Sequence, residues 1–159
     1  GASGLYVTEP VGGPADQPDY INAVLEVRTS LDPYALLVLC QQVEAHHHRV
    51  RLVRWGPRTL DIDVITYDDL VSDDPALTLP HPRAHERAFV LVPWEQANPQ
   101  AVIPSRDAAT GEQTRHLVAD LARRVRAADE RAGVNAVRFM RDMNLPKNLF
   151  DSGAESEGV

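Results

Sequence analysis

Residues 54–63 have the sequence RWGPRTLDID, in which an arginine-rich stretch leads directly into two aspartates. Gly56 and Pro57 interrupt regular structure, so residues 49–60 are predicted to form a loop. Residues 61–67 alternate in polarity and include β-branched side chains, which predicts a β-strand. The stretch therefore predicts a basic loop followed by a strand that opens on two carboxylates.

The two aspartates, Asp61 and Asp63, are the sharpest chemical feature of this stretch. In a strand they would face the same side, about 7 Å apart along the chain. Two carboxylates so placed either face water or share a cation. Mg²⁺ typically binds one or two carboxylates together with substrate phosphates. The pair alone leaves a solvated strand face and a metal site both open.

The arginines upstream favour the second interpretation. Arg49, Arg51, Arg54 and Arg58 lie within ten positions of a chain whose net charge is -7. A guanidinium group binds phosphate oxygens two at a time, so the cluster is either a solvated basic loop or a local anion site. Carboxylates beside arginines are typical of metal-bridged phosphate sites. The overall negative charge argues against general nucleic-acid binding.

Elsewhere strands and helices are predicted to interleave, which indicates an α+β fold. The predicted elements are a strand at 20–28, a helix from Pro33 to about 48, a short helix or turn at 83–92, a helix at 112–132 and a last short strand at 134–140. Asp32 before Pro33 is a favourable N-cap. His81, between two prolines, is either a surface turn histidine or, with Arg87, a phosphate contact.

The chain of 159 residues is the length of one domain. We expect that domain to span residues 1–150, with a disordered tail at 151–159 that is rich in Gly, Ser and Glu. No apolar run approaches the length of a transmembrane helix. The single cysteine, Cys40, excludes an internal disulfide and fits a cytoplasmic location.

The segment RWGPRTLDID resembles the signature of the 6-hydroxymethyl-7,8-dihydropterin pyrophosphokinases. Further motifs extend the resemblance over residues 5–104, and they are YVTEPVG at 6–12, QPDYIN at 17–22, Glu44 with RVR at 49–51, LPHP at 79–82 and RAFVL at 87–91. A long central match with flanking motifs in the same order is highly specific.

The resemblance implies a ferredoxin-like sheet packed with helices. It also implies an enzyme of folate biosynthesis that transfers pyrophosphate from ATP to the hydroxymethyl group of the dihydropterin and releases AMP. Two Mg²⁺ ions would assist the transfer. The expected partners are these two small-molecule substrates, with no nucleic acid and no membrane, and we expect a monomer.

The resemblance also implies roles for individual residues. Asp61 and Asp63 would hold the metal ions and, with Arg49 and Arg58, form the catalytic group. The pterin site would comprise Thr8, Pro10, Val11, Tyr20, Asn22, Trp55 and Phe89. The ATP site would comprise Leu37, Gln41, Glu44, Arg51, Val64, Thr78, His81 and Arg87.

Three departures from the family accompany the resemblance. The family opens with a strand, a Gly-Ser-Asn turn and a helix, whereas this sequence begins at what would be the second strand. We therefore expect either a truncated sequence or a replacement strand, for which residues 134–140 are a candidate. The resemblance also implies that the loop at 46–56 moves as a lid over the site, and between Arg51 and Arg54 this loop is one residue shorter than in some relatives. Ala76 also stands where some relatives have an arginine near ATP.

Two other functions stay open on the sequence alone. A metal-dependent phosphohydrolase could use the same carboxylate pair, but it would need a water-activating base and further carboxylates. A nucleotide-binding module without turnover would keep the ATP contacts alone.

Overall fold

The computed structural model describes residues 1–9, 18–49, 60–133 and 137–146, with residues 48 and 49 described by their backbone only. Several of the residues singled out above therefore lie outside the described part of the chain. They are Pro10, Val11, Arg51, Trp55, Arg58 and the side chain of Arg49, together with residues 50–59 of the loop predicted at 49–60 and the predicted tail at 151–159.

The described chain alternates short strands with three α-helices. In chain order the elements are β1 (Leu5–Thr8), β2 (Tyr20–Asn22), α1 (Pro33–Arg49), β3 (Ser72–Asp74), β4 (Leu77–Leu79), a 3₁₀ turn (Ala84–Glu86), α2 (Ala88–Ala97), β5 (Val102–Arg106), β6 (Gln113–Leu117), α3 (Val118–Ala132) and β7 (Val137–Arg141). Helices combined with antiparallel sheets confirm the predicted α+β class. The ferredoxin-like arrangement stays a prediction.

A three-stranded antiparallel sheet has the order β2-β1-β7. In its register Thr8 lies opposite Tyr20, and Tyr6 lies opposite Asn22. The predicted last strand is confirmed as β7, which pairs with the other edge of β1. Whether β7 stands in for the family's first strand stays a prediction. Two hairpins, β3-β4 and β5-β6, complete the strands of the described residues.

Helix α1 confirms the helix predicted from Pro33. The carboxylate of Asp32 accepts a hydrogen bond from the backbone N–H of Ala35 at 2.9 Å, which caps the first turn. The helix contacts β4, yet none of its described side chains, residues 33–47, is buried. Packing therefore holds this helix only weakly.

The core lies between α2, α3 and the β5-β6 hairpin. Its buried members are Ala84, Val90, Leu91, Trp94, Ala101, Ile103, Val118 and Ala122. Half-buried side chains pack against this cluster, among them the neighbouring Phe89 and, from distant parts of the chain, Val24 and Ile65. The apolar sequence of α2 is thus explained by burial on several sides.

The helix predicted at 112–132 is wrong in its first turn, since residues 113–117 form strand β6 and the helix begins at Val118. Pairing with β5, which runs from Val102 opposite Leu117 to Arg106 opposite Gln113, outweighs the local helical periodicity. The helix ends at Ala132, and the next residue, Gly133, has a positive φ of 67° that suits a C-terminal cap.

The strand predicted at 61–67 is also wrong. Among the described residues this segment has no strand beside it with which to form a ladder. Its backbone instead makes single contacts, such as Ile62 N–H to the Glu44 carboxylate at 2.6 Å and Ile65 C=O to His81 N–H at 2.8 Å. The strand predicted at 20–28 is right only for Tyr20–Asn22, with one isolated bridge between Leu25 and Ala2 farther on.

Within the described part of the chain, every helix is too short or too polar to cross a membrane.

Candidate active site

The acidic pair lies in residues 60–67, called the acidic segment below, which are hydrogen-bonded to α1. Asp61 and Asp63 are exposed, whereas Ile62 between them is half-buried. The carboxylate of Glu44 accepts the N–H of Ile62, which links the segment to the helix at the point between the two aspartates. Although the predicted strand is absent, the alternation still directs both aspartates to solvent.

These two carboxylates could hold Mg²⁺. Among the described residues, no group of three or more His, Cys, Asp or Glu side chains is placed to hold a metal ion. Mg²⁺ is commonly bound through one or two carboxylates, with water and substrate phosphates as its other ligands. The donor set of Asp61 and Asp63 therefore fits a metal that arrives with a phosphorylated substrate.

The predicted pterin residues of β1 and β2 share one face of the sheet. Residues that lie opposite one another, or two apart in a strand, point to the same side, so the register groups Tyr6, Thr8, Tyr20 and Asn22. The side-chain amide of Asn22 donates to the Thr8 hydroxyl at 2.6 Å. Tyr20 remains 58% exposed.

The same sheet face is turned towards α2. The hydroxyl of Tyr6 donates to the Gln96 side chain, which lies near the end of α2, at 3.1 Å. Phe89 lies in the first turn of this helix and is half-buried. The predicted pair of aromatic residues, Tyr20 and Phe89, thus belongs to a sheet face and to the helix that packs on it.

Arg87 and Phe89 are in direct contact. The guanidinium carbon of Arg87 lies 5.4 Å from the centroid of the Phe89 ring, which is a cation–π geometry. The carbonyl of Arg87 also accepts the N–H groups of Val90 and Leu91 at 3.0 Å as α2 begins. A residue predicted to contact phosphate therefore touches one predicted to contact the pterin ring.

His81 is held next to the acidic segment. Its N–H donates to the carbonyl of Ile65, two residues after Asp63. Its ring Nδ1 accepts the N–H of Arg83 at 3.2 Å, so Nε2 is the ring atom available to a ligand as a donor.

The predicted nucleotide residues of α1 lie along one face of the helix. The spacing of Leu37, Gln41 and Glu44 is four and three residues. Thr78 lies in β4 between the buried Leu77 and Leu79, and β4 contacts α1. Val64 belongs to the segment fastened to Glu44. The structure thus groups the predicted ATP residues of α1, β4 and the acidic segment.

One polar contact near these residues was not predicted. The hydroxyl of Tyr34 in α1 donates to the carboxylate of Asp74 at the end of β3. This bond raises the pKa of Tyr34 and, with the N–H of Ala76, lowers the pKa of Asp74. Because the two residues are 40 positions apart, the sequence carries no signal for the contact.

The cavities of the structure do not by themselves identify the site. An open pocket of about 360 Å³ lies elsewhere, and its lining is Ala2, Ser3, Gly4, Gln96, Asp142, Met143 and Leu145. None of the predicted site residues lines it. A site for charged phosphates need not be deep or apolar, and the grouped polar side chains mark it instead.

Comparison with known proteins shows which family this sequence resembles. Residues 1–99 match the family model described as 7,8-dihydro-6-hydroxymethylpterin-pyrophosphokinase. A 2-amino-4-hydroxy-6-hydroxymethyldihydropteridine pyrophosphokinase of Haemophilus influenzae is 43% identical over 108 residues, which cover 68% of this chain and 67% of the relative. The protein of the same name from Bacillus subtilis is 40% identical over 111 residues, which cover 70% of this chain and 66% of the relative.

A longer relative matches almost the whole chain. The folic acid synthesis protein fol1 of Schizosaccharomyces pombe is 32% identical over 153 residues, which cover 96% of this chain but 21% of that protein. The chain spans about two thirds of the length of the two bacterial relatives.

Proposed function

This chain belongs to the 7,8-dihydro-6-hydroxymethylpterin-pyrophosphokinase family, and we propose that it transfers pyrophosphate from ATP to 6-hydroxymethyl-7,8-dihydropterin in folate biosynthesis. The family match over residues 1–99 is the observation that carries the proposal. The grouping of Asp61 and Asp63 with α1 and β4 supports it.

The pterin binds between the β1-β2 face and the start of α2. Tyr20 and Phe89 stack on the two sides of the flat ring, a favourable arrangement for a heterocycle. Asn22, held by Thr8, hydrogen-bonds the edge of the ring. Because the Asn22–Thr8 bond already orients the amide, the side chain needs little rearrangement when the ligand enters.

ATP binds across α1, β4 and the acidic segment. Leu37, Val64 and Thr78 surround the adenine, and Gln41 and Glu44 close the site. His81 donates from Nε2 to the phosphates, and Arg87 contributes a charged donor beside Phe89. The contact between Arg87 and Phe89 brings the phosphate chain next to the pterin.

Asp61 and Asp63 would hold the two Mg²⁺ ions. When bound, the ions neutralise charge on the phosphates and polarise the reacting groups. Both carboxylates are exposed, which suits this role. Glu44 fixes their position through Ile62.

The reaction forms a bond between the hydroxymethyl oxygen of the pterin and the β-phosphorus of ATP. The bond between that phosphorus and the oxygen that bridges to the α-phosphate breaks, AMP leaves, and the hydroxyl proton passes to solvent. Such transfers depend mainly on positioning and electrostatic stabilisation. His81 and Arg87 stabilise the negative charge on the phosphates during transfer. Arg49 and Arg58 are proposed to contribute to the same stabilisation.

The direct test incubates the chain with ATP, Mg²⁺ and 6-hydroxymethyl-7,8-dihydropterin and measures AMP. We expect AMP that depends on the pterin and is lost in both Asp61→Ala and Asp63→Ala, with a pyrophosphorylated pterin as the second product. Pterin-independent release of phosphate would instead indicate a phosphohydrolase. ATP binding without AMP would indicate a binding module without turnover.

The cytoplasmic location and the monomeric state stay predictions. Size-exclusion chromatography with light scattering at assay concentrations would test the second.

A further inference from the structure

Asp74, at the end of β3, is the centre of a group of hydrogen bonds. It is not among the residues assigned to either substrate. Asp74 accepts hydrogen bonds at three oxygens. One carboxylate oxygen accepts the N–H of Ala76 at 2.9 Å, and the other accepts the hydroxyl of Tyr34. Its main-chain carbonyl accepts the hydroxyl of Thr78 at 3.1 Å. One residue thus closes the β3-β4 turn, contacts Thr78 and fastens the hairpin to α1.

Helix α1 depends on links of this kind. No described side chain of the helix is buried, and Leu39 is 44% exposed, so apolar packing constrains its position little. The bond from Ile62 N–H to Glu44 attaches the helix to residues 60–67. A second bond, from Tyr67 O–H to the carbonyl of Leu31 at 2.7 Å, attaches the same residues to the chain just before the helix. The Tyr34–Asp74 bond fastens it to the β3-β4 hairpin.

The bond connects the two elements between which the adenine is proposed to bind. Tyr34 lies in the first turn of α1, and Leu37 follows three residues later on the same rigid helix. Thr78 lies in β4 and contacts Asp74 directly. The bond therefore links the helix that carries Leu37 to the hairpin that carries Thr78.

We propose that Asp74 and Tyr34 are positioning residues for ATP, which hold α1 and the β3-β4 hairpin at the separation that the nucleotide requires. This inference rests on the proposed function of the same site. Asp74 and Tyr34 touch neither the phosphates nor the pterin in this account, so they act on nucleotide affinity and leave the transfer step unchanged.

The test compares Tyr34→Phe, which removes one hydroxyl, with the parent chain. We expect the KM for ATP to rise about three- to tenfold, as for the loss of one hydrogen bond. The kcat and the KM for the pterin should stay within about twofold. Asp73→Ala is the matched control, because it removes an exposed carboxylate from the neighbouring position of β3.

A double variant separates the link from a general structural effect. If the two residues act through their mutual bond, Tyr34→Phe adds little to the KM for ATP when Asp74→Ala is already present. A purely structural role would lower the melting temperature and the active fraction, which reduces apparent kcat and leaves the KM for ATP unchanged. That result, or an equal effect of Asp73→Ala, would overturn the proposal.

ATP binding measured by calorimetry keeps this inference separate from the proposed function. If the parent chain binds ATP but forms no AMP, the proposed function fails, and weaker binding by Tyr34→Phe still supports the positioning role. Unchanged ATP affinity in Tyr34→Phe overturns the positioning role while pterin-dependent AMP upholds the function. A parent chain that binds no ATP overturns both.

Discussion

Two regions of this molecule are held together in different ways. In the packed half, residues 84–133, side chains such as Leu91 and Val118 are completely buried. In the site half, residues 31–83, which carry the acidic pair and most of the proposed ATP site, the only buried residues among those described are Leu77 and Leu79. The site half relies on polar links between its elements. Packing therefore supplies stability in one half, and hydrogen bonds supply position in the other.

The contrast has a physical reason. Buried apolar surface is tightly packed and resists displacement, whereas a hydrogen bond at the surface exchanges readily with water and contributes little net free energy. A site that must admit two charged or polar substrates benefits from elements that can shift slightly. The Tyr34–Asp74 and Glu44–Ile62 bonds fix these elements without enclosing them.

Leucine truncation should separate the two halves most clearly. We expect Leu91→Ala to lower the free energy of unfolding by about 2–5 kcal/mol, because it leaves a cavity in the core. The matched change Leu39→Ala, in the exposed face of α1, should cost less than about 1 kcal/mol. Urea denaturation measures both. Equal losses of unfolding free energy in the two variants would show that α1 is as tightly packed as α2, which would contradict the difference between the two halves.

A smaller effect is expected from Asn22, whose hydrogen bond to Thr8 orients it towards the proposed pterin site. Asn22→Ala should raise the KM for the pterin about tenfold and leave the KM for ATP unchanged, since one ligand hydrogen bond is lost. Steady-state kinetics with each substrate varied in turn would measure this. Asn98→Ala is the control, because that amide also donates a hydrogen bond, to Glu26, far along the chain from the site.

If Asn98→Ala raised the pterin KM as much as Asn22→Ala, the effect would be a general loss of structure.

The smallest expected effect is a shift in titration. The bond to Asp74 raises the pKa of Tyr34 above its ordinary value of 10.0. The contribution of this hydrogen bond to stability is therefore complete below pH 10, and it is lost as the pH rises through the pKa of Tyr34 in the folded state. In Asp74→Asn the pKa of Tyr34 should fall towards its ordinary value, as measured by phenolate absorbance at 295 nm with Tyr34→Phe as the reference.

Burial also raises the pKa of Tyr6, and that shift should persist in Asp74→Asn. A titration of Tyr34 that is identical in the parent and in Asp74→Asn would contradict the bond.

Local sequence signals predicted the parts of the fold that local interactions determine. The Asp32-Pro33 start of α1 is such a case, because the cap and the helix lie within a few residues of each other. The start of α3 was missed because residues 113–117 pair with β5, and tertiary pairing outweighs helical periodicity. A strand was wrongly predicted at 61–67, because alternation gives the pattern of exposure but not the presence of a neighbouring strand.

The candidate site divides in the same way. A contiguous motif such as residues 54–63 identified the family and the acidic pair, since its chemistry lies within ten positions. The contacts that organise the site join residues far apart in sequence, such as Glu44 with Ile62 and Tyr34 with Asp74. Such pairings depend on the folded arrangement, which one sequence does not specify residue by residue.

Hydrogen exchange with and without Mg²⁺ and a non-hydrolysable ATP analogue would test most directly whether the nucleotide and metal bind in the site half. We expect slower exchange in α1, at Ile62 and at His81, whose amides belong to the linked elements. Exchange in α2 and α3 should change little, because their amides are already protected by the packed core. Slowing confined to the packed half would contradict the account.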